Sequence, residues 1–284
     1  ALAGVVFVKP TYGTVSRYGV IPCACSGEQV GVTAKTAAAA AELLRVVSGQ
    51  DDKDGTSLPM KAYAPQIGDS VRGLRFGIPR EYLEKAAPGM VEKVRAFGAV
   101  MAGSGAAVEE FSLAEIALAQ PAWQILMSAE TCNNLSRYDG IKFGHRTQSF
   151  RNLDELYTKS RTESFSLLTK AVVLYGSDVL SKGRYNGCYD KSLRIRRVLC
   201  DRLAEVFASY DFILAPACSK SGYSAQMLGD SLDAAYDESF FTALASITGI
   251  PAVCAGGVQL MAGRLMEPAL LTAAACYEKA VETL

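Results

Sequence analysis

One histidine, His145, and one tryptophan, Trp123, are all that 284 positions offer of those two residue types. A Ser-His-Asp triad therefore has a single place to be built, and a zinc site lacks the imidazoles it usually recruits. The eight cysteines do not make good that deficit. Only Cys23 and Cys25 stand close together, with no second pair to complete a ligand set, so no metal site is expected. The cysteines are read as small core residues in a reducing compartment. No apolar run reaches the roughly 18 to 20 residues of a membrane span, since charges interrupt even the alanine-rich 36–47 stretch. The opening residues lack a basic region and a small-residue cleavage site, so no signal peptide is read and a soluble, cytoplasmic protein is expected. Charge of one sign is missing too: Lys plus Arg and Asp plus Glu balance at 29 each, which leaves no overall field to draw in nucleic acid or an anionic membrane. Also absent are a Gly-x-Ser-x-Gly elbow, a phosphate loop ending in Gly-Lys-Ser/Thr, and a Gly-x-Gly-x-x-Gly after a strand. No cofactor is implied.

What is present alternates strands with helices. Residues 4–8 form a short β-branched run closed by Pro10 and Gly13, which suits a buried strand entering a loop. From Thr33 to Ser48, Ala37, Ala40, Ala41, Leu44 and Val47 recur at helical spacing, and Gly49 follows as a terminator. Residues 50–70 are rich in Asp, Gly, Pro and Ser and read as loop. Segments 73–79, 89–101 and 106–111 then read as strand, helix and strand, a β-α-β unit. A helix is expected over 121–135. A longer one opens at Asn152, with Glu155 as capping-box partner and Leu153, Leu156, Leu167, Leu168 and Ala171 on one face, and ends at Gly183. The helix over 189–209 carries Lys191, Arg194, Arg196, Arg197 and Arg202. No aromatic side chains interleave with them, so they read as a solvated face and no direct nucleic-acid contact is expected. Strands return at 211–217 and 257–262, and a last helix follows Pro268. The expectation is an α/β fold, one domain over 1–284, with a sheet covered by helices and no dividing linker.

Specific segments carry further information. "GVVFVKPTYGTVSRYGVIPCACSGEQVG" (residues 4–31) resembles the stretch that follows the nucleophile in the amidase signature family. "AETCNNLSRYDGIKFGHR" (129–146) resembles a segment characteristic of that family's glutamyl-tRNA(Gln) amidotransferase A-subunit branch. "LYTKSRTESF", "DVLSKGRYNGCYDKSLRIRR", "DFILAPA" and "LASITGIPAV" continue the similarity in order, over nearly the whole chain.

The resemblance implies an amidase-signature mixed sheet and a glutaminase that passes ammonia to B and C subunits for Gln-tRNA(Gln) formation. It also implies a serine nucleophile, a second serine on a cis peptide bond, and a lysine. A serine hydroxyl needs a base, and a lysine serves as one only where burial holds its pKa down. All three family positions precede the residue that matches Ala1, so no catalytic residue is expected in this chain, which reads as a truncated amidase lacking its N-terminal catalytic segment and inactive alone. The family's glutamine-carboxylate arginine falls at Val172 or neighbouring Ala171, its amine-holding aspartate at Ser239 or neighbouring Glu238, and a pocket tyrosine at Trp123 or Gln124. The short connection after Val253 is expected to remove part of the sheet edge beside the active site. Lys9 and Ser16 flank Gly13 as a replacement pair of low expectation, His145 reads as a hydrogen-bonded loop residue, and Ser26 and Gln29 read as loop organisers. Three readings stay open: a part completed by another chain, a non-catalytic binding or scaffold paralogue, and a truncated product. Exposed strand edges add the expectation of a homo-oligomer.

Overall fold

Strands β5 (Phe212–Pro216) and β7 (Val258–Ala262) are buried at every position, and they pair antiparallel from Phe212–Ala262 to Pro216–Val258. Around them a computed structural model of the chain, which describes residues 4–60, 65–220 and 231–282, builds a mixed sheet. Its other strands are β1 (Val6–Lys9), β2 (Val32–Ala34), β3 (Arg75–Pro79), β4 (Ala107–Phe111) and β6 (Ala252–Ala255). The order of the described strands is β2-β1-β6-β7-β5-β3-β4. β3 pairs parallel with β4 and β5, and the remaining neighbours are antiparallel. Continuous apolar runs at the centre are what a sheet buried on both faces demands.

The helices are α1 (Ala37–Val47), α2 (Arg80–Lys85), α3 (Pro88–Gly103), α4 (Ile116–Leu135), α5 (Leu153–Ser164), α6 (Leu167–Val179), α7 (Lys191–Ser209), α8 (Leu232–Thr248) and α9 (Glu267–Glu282), with a π-helical turn at Asn186–Asp190. The chain divides into two units. The first holds residues 1–20, 29–120 and 196–284, and the second 21–28 and 121–195. All described strands belong to the first. Its core joins Val6, Val8, Phe76, Leu214 and Leu260 of the sheet to Leu44, Phe97 and Leu270 of α1, α3 and α9, all at most 4% exposed. Each such side chain contributes about 1.5–3 kcal/mol by leaving water.

The second unit is helical. Gly176 on α6 lies so close to α4 that a Cβ there would stand 2.0 Å from the Ser128 carbonyl oxygen. Asn134 Nδ2 donates to the Cys23 carbonyl at 2.9 Å, and Arg161 Nη1 donates to the carbonyls of Leu135 and Tyr138 at 3.2 Å each. Among the described residues no helix is long and apolar enough to cross a membrane.

Several sequence expectations are corrected. The helix expected from Thr33 gives way to β2, and α1 starts three residues past that strand because Thr36 Oγ1 accepts from Ala39 N at 3.2 Å and caps it. The single helix expected from Asn152 to Gly183 is two, α5 and α6, because Ser166 has extended backbone and its Oγ accepts from Thr169 N at 3.2 Å. Leu153 and Leu167 are consequently 60% and 63% exposed, not on a shared buried face. α4 begins five residues before the expected Pro121. The short connection after Val253 trims no edge: β6 and β7 form a hairpin through Gly256 (φ 59°) and Gly257 (φ 85°) and sit inside the sheet between β1 and β5. Of the eight cysteines, all free, only Cys218 is buried, and Cys276 is half-buried against the core, so the expected core role does not extend to exposed Cys23. Residues 61–64 of the expected loop lie outside the described residues.

Candidate functional site

A cavity of about 500 Å³ opens in the first unit where β5 ends. β5 stops at Pro216, which has no N–H to continue a ladder, and the chain turns through Cys218 to Ser219 and Lys220. Ser219 is held from two sides: its N–H donates to Glu238 Oε2 at 3.0 Å, and its carbonyl accepts from Ala87 N at 2.7 Å. Glu238 comes from α8, which is fixed at its start by Ser231 Oγ accepting from Ala234 N at 3.1 Å. Its end is fixed by Gly249, left-handed at φ 72°. Buried Gln259 ties β5 to the same helix, its Nε2 donating to the Pro216 carbonyl at 2.9 Å and to the Phe241 carbonyl.

Lys85, Gln120, Ser219, Lys220 and Glu238 supply the polar lining, and Phe240 and Phe241 the apolar wall. Behind that wall the fully buried Tyr82 ring meets Phe240 edge-on at 5.5 Å and stacks on Phe241 at 6.1 Å. Tyr82 Oη has no hydrogen-bond partner, and burial alone pushes its pKa up. Burial and, next, the Glu238 carboxylate push the Cys218 thiol pKa up, away from the thiolate form.

The expected pocket residues fall in different units. Ser239 and Glu238 lie on α8, half-buried, beside Gln120, whose Nε2 donates to Ser239 Oγ at 3.3 Å. Trp123 and Gln124 on α4, and Ala171 and Val172 on α6, are half-buried members of the second unit. Gln120 and the Ser219–Lys220 turn escaped the sequence reading. The one available signal was a lone polar residue in "IALAQPAW", immediately before a proline.

Lys9 and Ser16 do not pair. Lys9 Nζ donates to Gln29 Oε1 at 2.8 Å and to the Ile250 carbonyl, while Ser16 Oγ donates to Asp51 Oδ2 at 2.7 Å. Burial draws the Lys9 pKa down to about 7 against the pull of Glu267. That is the pKa of a general base, but the protons are already committed to main-chain and amide oxygens. Gln29 organises this interior, as expected. In the second unit Ser26 N donates to Glu130 Oε2 at 2.8 Å and Ser26 Oγ to Glu130 Oε1, so Ser26 organises its loop. His145 Nε2 meets Glu163 Oε2 at 2.5 Å, the hydrogen-bonded loop role expected. Of the α7 arginines, Arg197 pairs through Nε with Asp201 at 2.9 Å and is 80% exposed, in keeping with a solvated face, while Arg202 pairs both with Glu205 at 2.6 Å and with Glu115 at 3.5 Å. Among the described residues no group of three or more His, Cys, Asp or Glu side chains is placed to hold a metal ion.

Known proteins match this arrangement along the chain. The A subunit of glutamyl-tRNA(Gln) amidotransferase from Lachnoclostridium phytofermentans is 40% identical over 259 residues, 89% of this chain and 52% of its own length. Its counterpart in Lachnospira eligens is 36% identical over 293 residues, 98% of this chain and 60% of its own. The chain thus spans little more than half the length of these relatives. The crystal structure of the Thermotoga maritima counterpart, again the A subunit of glutamyl-tRNA(Gln) amidotransferase, superposes with a TM-score of 0.77 at 27% identity, covering 98% of this chain and 58% of that one. The family model described as Amidase matches residues 1–271. With the mixed sheet and its covering helices in agreement, this chain belongs to the amidase family.

Proposed function

We propose that this chain is the carboxyl-terminal portion of an amidase of the glutamyl-tRNA(Gln) amidotransferase A-subunit type, and that the 284 residues alone hydrolyse no amide. The observation that carries the reading is the 40% identity over 259 residues with one such protein, of which this chain spans 52%. In this reading the serine nucleophile, the cis serine and the lysine reside in the remaining length of the relatives. The present chain supplies pocket walls, and B and C subunits of a cytoplasmic amidotransferase are its partners. Chemistry supports the division of labour, because neither buried Lys9 nor hydrogen-bonded Ser16 and Ser26 can activate the other for acyl transfer.

A non-catalytic binding or scaffold role is the second reading, favoured by the resemblance, which puts Val172 or Ala171 at the family's arginine and Ser239 or Glu238 at its aspartate. A valine in place of a carboxylate-binding arginine gives up a bidentate charge-assisted contact. Mixing the polypeptide with glutamine and with simple amides, while following ammonia release, tests both. No release is expected from the chain alone. Release abolished by a serine-directed fluorophosphonate would overturn the proposal of inactivity. Release that appears only when the preceding segment of a relative is co-expressed would favour the amidase portion over the scaffold.

A further inference from the structure

Gln120 is a primary amide, 9% exposed, on the otherwise apolar start of α4, and its two ends are in different situations. Nε2 donates to the Tyr236 carbonyl and, at 3.3 Å, to Ser239 Oγ. A main-chain carbonyl only accepts, so the contact with Tyr236 settles which end is nitrogen. Oε1 bonds to none of the described residues, yet it is not among their fully enclosed unpaired atoms. That leaves it accessible, on a side chain that lines the cavity. The same lining holds the Glu238 carboxylate, seated on Ser219 N, and the apolar wall of Phe240 and Phe241. Two lysines, Lys85 and Lys220, balance Asp237 and Glu238 in the lining, so the cavity has no excess charge to favour a bare ion.

We propose that Gln120 is a specificity-determining residue whose Oε1 accepts a hydrogen bond from the N–H of a primary carboxamide held in this cavity, with the carbon skeleton of that ligand against Phe240 and Phe241. The choice of a carboxamide rests on the amidase reading, and the anchored acceptor rests on the geometry alone. Anchoring the nitrogen costs the ligand nothing, because the amide is oriented before anything binds.

Binding of benzamide and of N,N-dimethylbenzamide to the full chain, followed by calorimetry and by NMR, tests the proposal. The dimethyl compound keeps the ring and carbonyl but has no N–H to give. The chain is expected to prefer benzamide about tenfold, the worth of one hydrogen bond, and the preference should vanish in Gln120→Leu. Should that variant fail to fold, the side-chain amide signals of Gln120 in the unaltered protein decide, being expected to shift with benzamide and not with its dimethyl analogue. Equal binding of the two compounds, binding of neither, or a preference that survives Gln120→Leu overturns the proposal. The assay reads no hydrolysis, so its failure leaves the amidase reading to the ammonia measurement. Discrimination without turnover in the completed protein would remove that reading and keep this site.

Discussion

Lys9 Nζ lies 2.8 Å from Gln29 Oε1, in an interior that it shares with the Ile250 carbonyl and the buried Glu267. Burial, only partly offset by Glu267, holds the Lys9 pKa at about 7, against 10.5 for an ordinary lysine. Between those two values the unfolded chain binds a proton that the folded chain does not. Stability therefore rises with pH across this window, and the contribution is withheld below about pH 7. Urea midpoints measured from pH 7 to 10 are expected to climb, and Lys9→Met is expected to flatten that climb by up to a few kcal/mol. An identical slope in the variant would assign the titration to other groups.

Glu267, fully buried at the start of α9, accepts the Thr11 N–H at 2.6 Å, and Thr11 Oγ1 in turn accepts from Leu265 N at 2.8 Å. Glu267→Ala strands a buried main-chain donor and is expected to cost about 2–3 kcal/mol, while Glu267→Gln, which retains an acceptor oxygen, costs less. Chemical denaturation of the pair checks the ranking. Equal losses would mean that the carboxylate charge, not its hydrogen bond, matters.

Gln259→Leu removes the amide that satisfies both the Pro216 and Phe241 carbonyls. Two buried acceptors then lose a side-chain donor, with an expected loss of about 1–3 kcal/mol, read as a lower thermal midpoint. Because Phe241 lines the cavity, the benzamide preference should weaken in the same variant.

Gly176→Ala is expected to destabilise the helical unit by about 1–3 kcal/mol, since a Cβ would meet the Ser128 carbonyl oxygen at 2.0 Å and the Cys132 Cβ at 2.7 Å. Hydrogen exchange of α4 and α6 amides checks this. Unchanged protection on both helices would mean that the backbones separate at no cost.

Local pattern made much of the fold legible. The β3-α3-β4 unit appears within a few residues of its expected limits, because short apolar stretches, a Pro at the first helical turn and glycines at the end of the helix are signals confined to neighbours in sequence. The same locality misled at residues 165 and 166. Helical spacing carries on through both residues, but the Ser166 side chain serves the following helix as a cap and divides the pattern. β6 was missed because four residues with no alternation give no period to read, and their strand character comes from pairing with Val258–Met261.

By itself the sequence determined strands β1, β3, β4, β5 and β7, most of the helix segments, the Asn152 cap and the family resemblance, since each depends on residues within a few positions of one another or on unbroken strings. Only tertiary structure decided that the β6–β7 hairpin lies inside the sheet and that Lys9 is spent on Gln29. It also decided that Gln120 meets Ser239, a residue 119 positions away. Such contacts follow from which faces the whole chain can bury together, and no local spacing of residues encodes that.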